Sequence, residues 1–125
     1  MNLGDVTEKS VPKMSLVAAP RNGGAICTRT FIPHRCHASI GVLGAVSVAT
    51  ACMMPESPAA QLCVLPTADA DPGSTPESMI QVEHPIGATG VLMQVSGDGA
   101  ALTVHKAAIL RTARKLMSGR VFPAN

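Results

Sequence analysis

Tryptophan and tyrosine are absent from this chain of 125 residues, and phenylalanine occurs twice. A core made from it has to pack aliphatic side chains, because no large rings are available to fill it. Charge is scarce as well: 14% of residues are charged, and the formal net charge is +2. That excludes the broad basic footprint that nucleic acid binding requires. Arg111, Arg114, Lys115 and Arg120 do gather towards the C-terminal end, where they read as a solvated face. The four cysteines, Cys27, Cys36, Cys52 and Cys63, form no CxxC pair and show no repeated spacing. Free thiols in a cytoplasmic protein are the simplest account of them. The opening "MNLGDVTEKS" lacks a basic start followed by an apolar core, so it is no secretory signal. The length suits one small domain, residues 1–125, with no internal repeat.

What is present alternates like strand over much of the chain. Lys13 to Ala18 reads as a strand closed by Pro20, and Arg21 to Gly24 ("RNGG") as a turn. Ala25 to Phe31 reads as a second strand, making a hairpin with the first. Further on, "SPAAQLCVLP" (Ser57 to Pro66) reads as a short helix started by Ser57, with Pro58 at its first position. Thr67 to Ser78 is polar and reads as a surface loop. "SMIQVEHP" and "ATGVLMQVSG" read as strands, and "GDG" (Gly97 to Gly99) as a hairpin signal before "AALTVHKAAILRT". In the closing "ARKLMSGRVF", Gly119 suits a helix C-cap or a turn. The whole predicts an α+β fold of antiparallel strands with one long apolar helix.

That helix lies in "FIPHRCHASIGVLGAVSVATACMMP", Phe31 to Pro55, which starts polar and then carries no charge. A membrane span is disfavoured. Ala38 to Met54 gives about 25 Å of helix against a hydrocarbon core of roughly 30 Å, and Ser, Thr and Gly dilute it. Zinc is disfavoured too. His34, Cys36 and His37 stand close together, but Pro33 places them in a turn, and His84 and His105 are isolated. A helix apolar on every face is expected to be wrapped by protein on every side. Small residues at Gly41, Ala45 and Ala49, and at Gly44, Ser47 and Ala51, would let strands approach it closely. Its first N–H groups, Ala38 to Gly41, have no Asp or Glu to cap them. His37 or Ser39 would cap them, or a bound anion supported by Arg35 would. The residues leave both possibilities open.

Four ordered segments, "NLGDVTEKSVPKM", "FIPHRCHASIGVLGAVSVATAC", "VEHPIG" and "ILRTARKLMSGRVF", resemble the C-terminal part of the PrpF-like family. Its members include 2-methylaconitate cis-trans isomerase and 4-oxalomesaconate tautomerase, and the form of the second segment looks most like the tautomerase branch. The resemblance implies a diaminopimelate-epimerase-like fold, in which a curved antiparallel sheet wraps a central helix whose N-terminus faces the substrate. It implies an isomerase that shifts a proton on an unsaturated tricarboxylate, without metal or organic cofactor. The residues it places at the substrate are Lys13, Arg35, His37, Ala38, Ser39, Ile40, Gly41 and His84. Members of the family are much longer than this chain. The expectation is therefore a part of the second domain, with the first domain and the acid/base residues outside it. Lys13 and Cys36 receive no catalytic role. The partners expected are the tricarboxylate and either a missing first domain or a second copy of the chain, with no nucleic acid and no membrane.

Overall fold

The computed structural model describes residues 2–67, 75–97 and 99–124. In chain order they form β1 (Met14–Ala18), β2 (Ile26–Phe31), α1 (Val42–Met53), β3 (Glu77–His84), β4 (Gly87–Ser96), a single 3₁₀ turn at Gly99–Ala101, and β5 (Thr103–Ile109). The strands make one sheet in the order β1-β2-β3-β4-β5. The fold class is α+β: a five-stranded mixed sheet with one helix packed on it.

The expectation of a wholly antiparallel sheet is corrected at its centre. β1 and β2 pair antiparallel, as do β3 with β4 and β4 with β5, but β2 and β3 run parallel. Ile26 stands opposite Val82, and Cys27 opposite Glu83. The cause is the connection. Parallel neighbours need a crossover of a dozen or more residues, and α1 lies in the segment joining these two strands.

Alternation along the strands builds the core. Ile26, Ile80, Val82, Val91 and Met93 are fully buried, packed in one cluster with Ala45, Val48, Ala49 and Cys52 of α1. Burying an aliphatic side chain of this size contributes about 1.5–3 kcal/mol, so these five carry much of the stabilisation available without aromatics. Ala45 and Ala49 let α1 lie close on the sheet. The hydroxyls of Ser47 and Thr50 are satisfied within the helix, donating to the Leu43 and Val46 carbonyls at 2.8 and 2.9 Å. Pro55 prevents continuation past Met53.

Two expectations about this helix change. It starts at Val42 and not at Ala38. It is also covered on one face only: Leu43 is 81% exposed and Val42 is more than half exposed. A single sheet whose strands β3, β4 and β5 meet one side of α1 leaves the other side open. The apolar opposite face is therefore bare among the described residues. Among the described residues no helix is long and apolar enough to cross a membrane.

Elsewhere, Ser57 to Leu62 forms turns and not the expected helix. Ser57 still acts as a local cap, its Oγ accepting from the Ala59 N–H at 3.1 Å, but the bonds that follow are those of successive tight turns. Most of the loop expected at Thr67 to Ser78 lies outside the described residues, and Glu77 and Ser78 already belong to β3. Gly97 and Gly99 take positive φ in the connection between β4 and β5, while Asp98 between them lies outside the described residues. Residues 110–124 are exposed and carry no regular element, so Gly119 ends no helix.

Candidate functional site

The polar start of the long apolar stretch is folded back on β2. The Ile32 N–H donates to the Arg35 carbonyl at 2.9 Å, Cys36 bridges to Phe31, and the His37 N–H donates to the Thr30 carbonyl at 2.7 Å. This reversal explains why the helix begins late: the chain is committed to β2 until His37. The next bond fixes the imidazole. The Ser39 N–H donates to His37 Nδ1 at 2.9 Å. A nitrogen that accepts carries no proton, so the neutral His37 ring holds its proton on Nε2.

Ser39 also reaches across to the sheet. Its Oγ lies 3.4 Å from Nε2 of His84, the last residue of β3. His37, Ser39 and His84 thus form one cluster. His84 Nδ1 is buried with no hydrogen-bond partner among the described residues. Burial first, and the neighbouring His37 second, hold the His84 pKa below its ordinary value of 6.5, so the ring is neutral at pH 7.

Beside this cluster lies a cavity of about 570 Å³. Its walls include Lys13, Ser15, Thr30, His37, the first turn of α1 from Gly41 to Gly44, and Ser47. Ser15 and Thr30 face each other across the β1–β2 ladder, their hydroxyl oxygens 2.7 Å apart. Gly41 is the N-cap residue and provides no side-chain bond, and the first turn holds no acidic residue. The N–H groups of Val42, Leu43 and Gly44 therefore have no intrahelical acceptor. With Lys13 across the cavity, they make an electropositive mouth suited to a carboxylate or phosphate.

The expected site residues are thus divided. Lys13, His37 and Gly41 line the cavity. Ser39 is tied to His37 and His84 to Ser39, and neither lines it. Arg35 and Ala38 are exposed and also lie outside the lining. The Ile40 side chain is buried in the hydrophobic cluster, where it packs. Neither His37 nor Ser39 caps the helix by a side-chain bond. Among the described residues no group of three or more His, Cys, Asp or Glu is placed to hold a metal ion.

Sequence reading passed over Ser15, Thr30, Gly44 and Ser47 as wall residues. The alternation that makes Thr30 inward-facing carries that signal for the strands. It also passed over the role of Glu83, which is 2% exposed. The Glu83 carboxylate accepts from the backbone N–H groups of Arg21, Asn22 and Gly24 at 2.9, 2.7 and 2.8 Å. Those bonds, the Arg21 N–H foremost, lower its pKa against the opposing effect of burial. The carboxylate thereby pins the Arg21–Gly24 turn to the strand whose next residue is His84.

The family described as PrpF protein matches residues 3–123 of this chain. The chain is 58% identical over 122 residues to a (4E)-oxalomesaconate Delta-isomerase from Novosphingobium sp. (strain KA1), covering 98% of this chain and 31% of that protein. It is 47% identical over 121 residues to a 4-oxalomesaconate tautomerase from Pseudomonas putida (strain KT2440), covering 97% of this chain and 30% of that protein. The chain spans about a third of the length of these relatives.

Proposed function

The chain belongs to the PrpF family, and from that premise we propose that it forms the substrate-anchoring part of an isomerase acting on 4-oxalomesaconate or a similar unsaturated tricarboxylate. The observation that carries this reading is the cavity onto which the first turn of α1, Lys13 and His37 all open. The names of the two relatives favour the oxalomesaconate branch over the 2-methylaconitate branch.

Tautomerisation needs a base to take a proton from carbon, an acid to return one, and fixed positive potential for the carboxylates and the developing enolate. The cavity supplies the last of these. One carboxylate would sit on the N–H groups of Val42, Leu43 and Gly44, opposite the Lys13 ammonium. The Nε2–H of His37 is then a neutral donor to a second oxygen. Within this proposal the chain binds and orients, and the proton is moved by groups outside it. The finer fold reading belongs here as well. The bare face of α1 suits a diaminopimelate-epimerase-like arrangement in which further protein, a first domain or a second copy, closes over the helix. Four free cysteines fit a cytoplasmic setting.

Titrating the chain with an unsaturated tricarboxylate and following its backbone amide resonances tests the anchoring role. The amides of Val42, Leu43 and Gly44 should shift with the free acid anion and not with its trimethyl ester. Absence of shifts there, or equal shifts with the ester, would remove the reading.

A further inference from the structure

A second reactive grouping lies at the other end of α1. Cys52 is in the last turn of the helix, 2% exposed and part of the core. Cys63 lies eleven positions further on, half-buried, in the segment that follows the Ser57–Leu62 turns. Its Sγ is 3.6 Å from the Cys52 carbonyl oxygen and 3.5 Å from that of Ala60. The segment is held in place on both sides of the thiol. The Cys63 N–H donates to the Ala59 carbonyl, and the Val64 N–H donates to the Ala25 carbonyl next to β2, both at 2.9 Å. The Cys63 thiol is therefore fixed against the helix end and does not roam in a loop.

From this geometry we infer that Cys52 and Cys63 are a peroxide-reactive dithiol that closes to a disulfide, joining the C-terminal turn of α1 to the segment anchored on β2. The two sulfurs have different tasks. Burial, and then the neighbouring Cys63, push the Cys52 thiol up to about 12, so it holds its proton and does not attack peroxide. Cys63 is the more accessible sulfur and reacts first. Its thiolate attacks the peroxide, the O–O bond breaks, and Cys63 becomes a sulfenic acid as the alcohol or water leaves. The Cys52 thiol then passes its proton to the sulfenic oxygen as its sulfur bonds to that of Cys63, so the S–O bond breaks and the oxygen leaves as water. One peroxide is reduced and two thiols are oxidised, and a small-molecule thiol reverses the step. Cys36 is exposed and Cys27 is buried in β2, and neither thiol has a hydrogen bond to Cys52 or Cys63 among the described residues.

The test is mass spectrometry of the whole chain after brief exposure to hydrogen peroxide, with non-reducing peptide mapping. The expected result is a loss of two hydrogens per chain, one peptide linking Cys52 to Cys63, and full reversal by dithiothreitol. With Cys52→Ser, Cys63 should stop at the sulfenic acid and be captured by dimedone. With Cys63→Ser, no linkage to Cys52 should form. Oxidised thiols without that linked peptide, linkage mainly to Cys36, or no oxidation at Cys63 would each overturn the inference. The pair lies about one helical turn, roughly 6 Å, beyond Val48 of the cavity wall, but the readout is thiol oxidation with no anion present. The result therefore stands or falls independently of the anchoring reading.

Discussion

The Glu83 carboxylate and the Asn22 backbone nitrogen are 2.7 Å apart across 61 positions of sequence. A buried carboxylate normally finds a cation, whereas this one is held by three backbone N–H groups of a turn. Glu83→Ala would leave those donors without their acceptor. An unsatisfied buried group costs about 1–3 kcal/mol, so a loss of about 2 kcal/mol or more is expected from chemical denaturation. A loss under about 0.5 kcal/mol would show that the turn finds other partners.

The same group sets an acid dependence. Its pKa in the fold lies below the ordinary 4.5, so the unfolded chain binds the proton more readily. The stabilisation is present above pH 4.5 and is lost as pH falls through the folded value. Glu83→Gln should flatten this part of the stability profile, measured by thermal unfolding between pH 3 and pH 6 on the order of one-unit steps. An unchanged slope in the variant would assign the dependence elsewhere.

Gly24 adjoins this carboxylate. A Cβ there would meet Glu83 Cγ at 2.6 Å and the Gln81 carbonyl oxygen at 2.9 Å. The second of these is backbone, which gives little. Gly24→Ala should therefore destabilise the chain by about 1–3 kcal/mol, the usual range for overpacking. Gly119→Ala, where an added Cβ would meet no atom within 4 Å, is the control and should change stability little.

These residues show where sequence reading succeeds and where it stops. The strands were legible because Ile26, Thr28 and Thr30, or Ile80 and Val82, alternate with outward residues, and period two has one structural meaning. The long helix was legible from its charge-free run. Its start was not, because the bonds that hold His37 to Thr30 and Ser39 to His37 are local geometry that composition does not encode. The parallel β2–β3 pair was missed for a similar reason, since neither strand alone records the direction of its neighbour. At the site, adjacency placed Arg35 and Ile40 beside His37, yet Arg35 points to solvent and Ile40 into the core. Ser15 and Thr30 enter the cavity through the ladder register, a relationship between segments.

Lys13 is the charged side chain in the cavity wall. Lys13→Met keeps much of its length and removes the charge. Tricarboxylate binding to the chain, measured by calorimetry, should weaken by roughly tenfold, about 1.4 kcal/mol, and the residual binding should lose much of its salt dependence. Unchanged affinity at low salt would place the anion away from Lys13.

His84 provides the last test, because its environment is built from two separable causes. Burial is the larger and His37 the smaller, and both favour the neutral ring. Titration followed by imidazole resonances should give a His84 midpoint below 6.5. Its stabilising contribution should be full above pH 6.5 and decline as pH falls through the folded value, because the unfolded ring takes the proton first. His37→Gln removes the neighbouring imidazole and leaves the burial. The His84 midpoint should then rise part of the way towards 6.5. A midpoint at or above 6.5 in the unaltered chain would show that water reaches the ring. No movement in the His37→Gln variant would show that burial alone sets it.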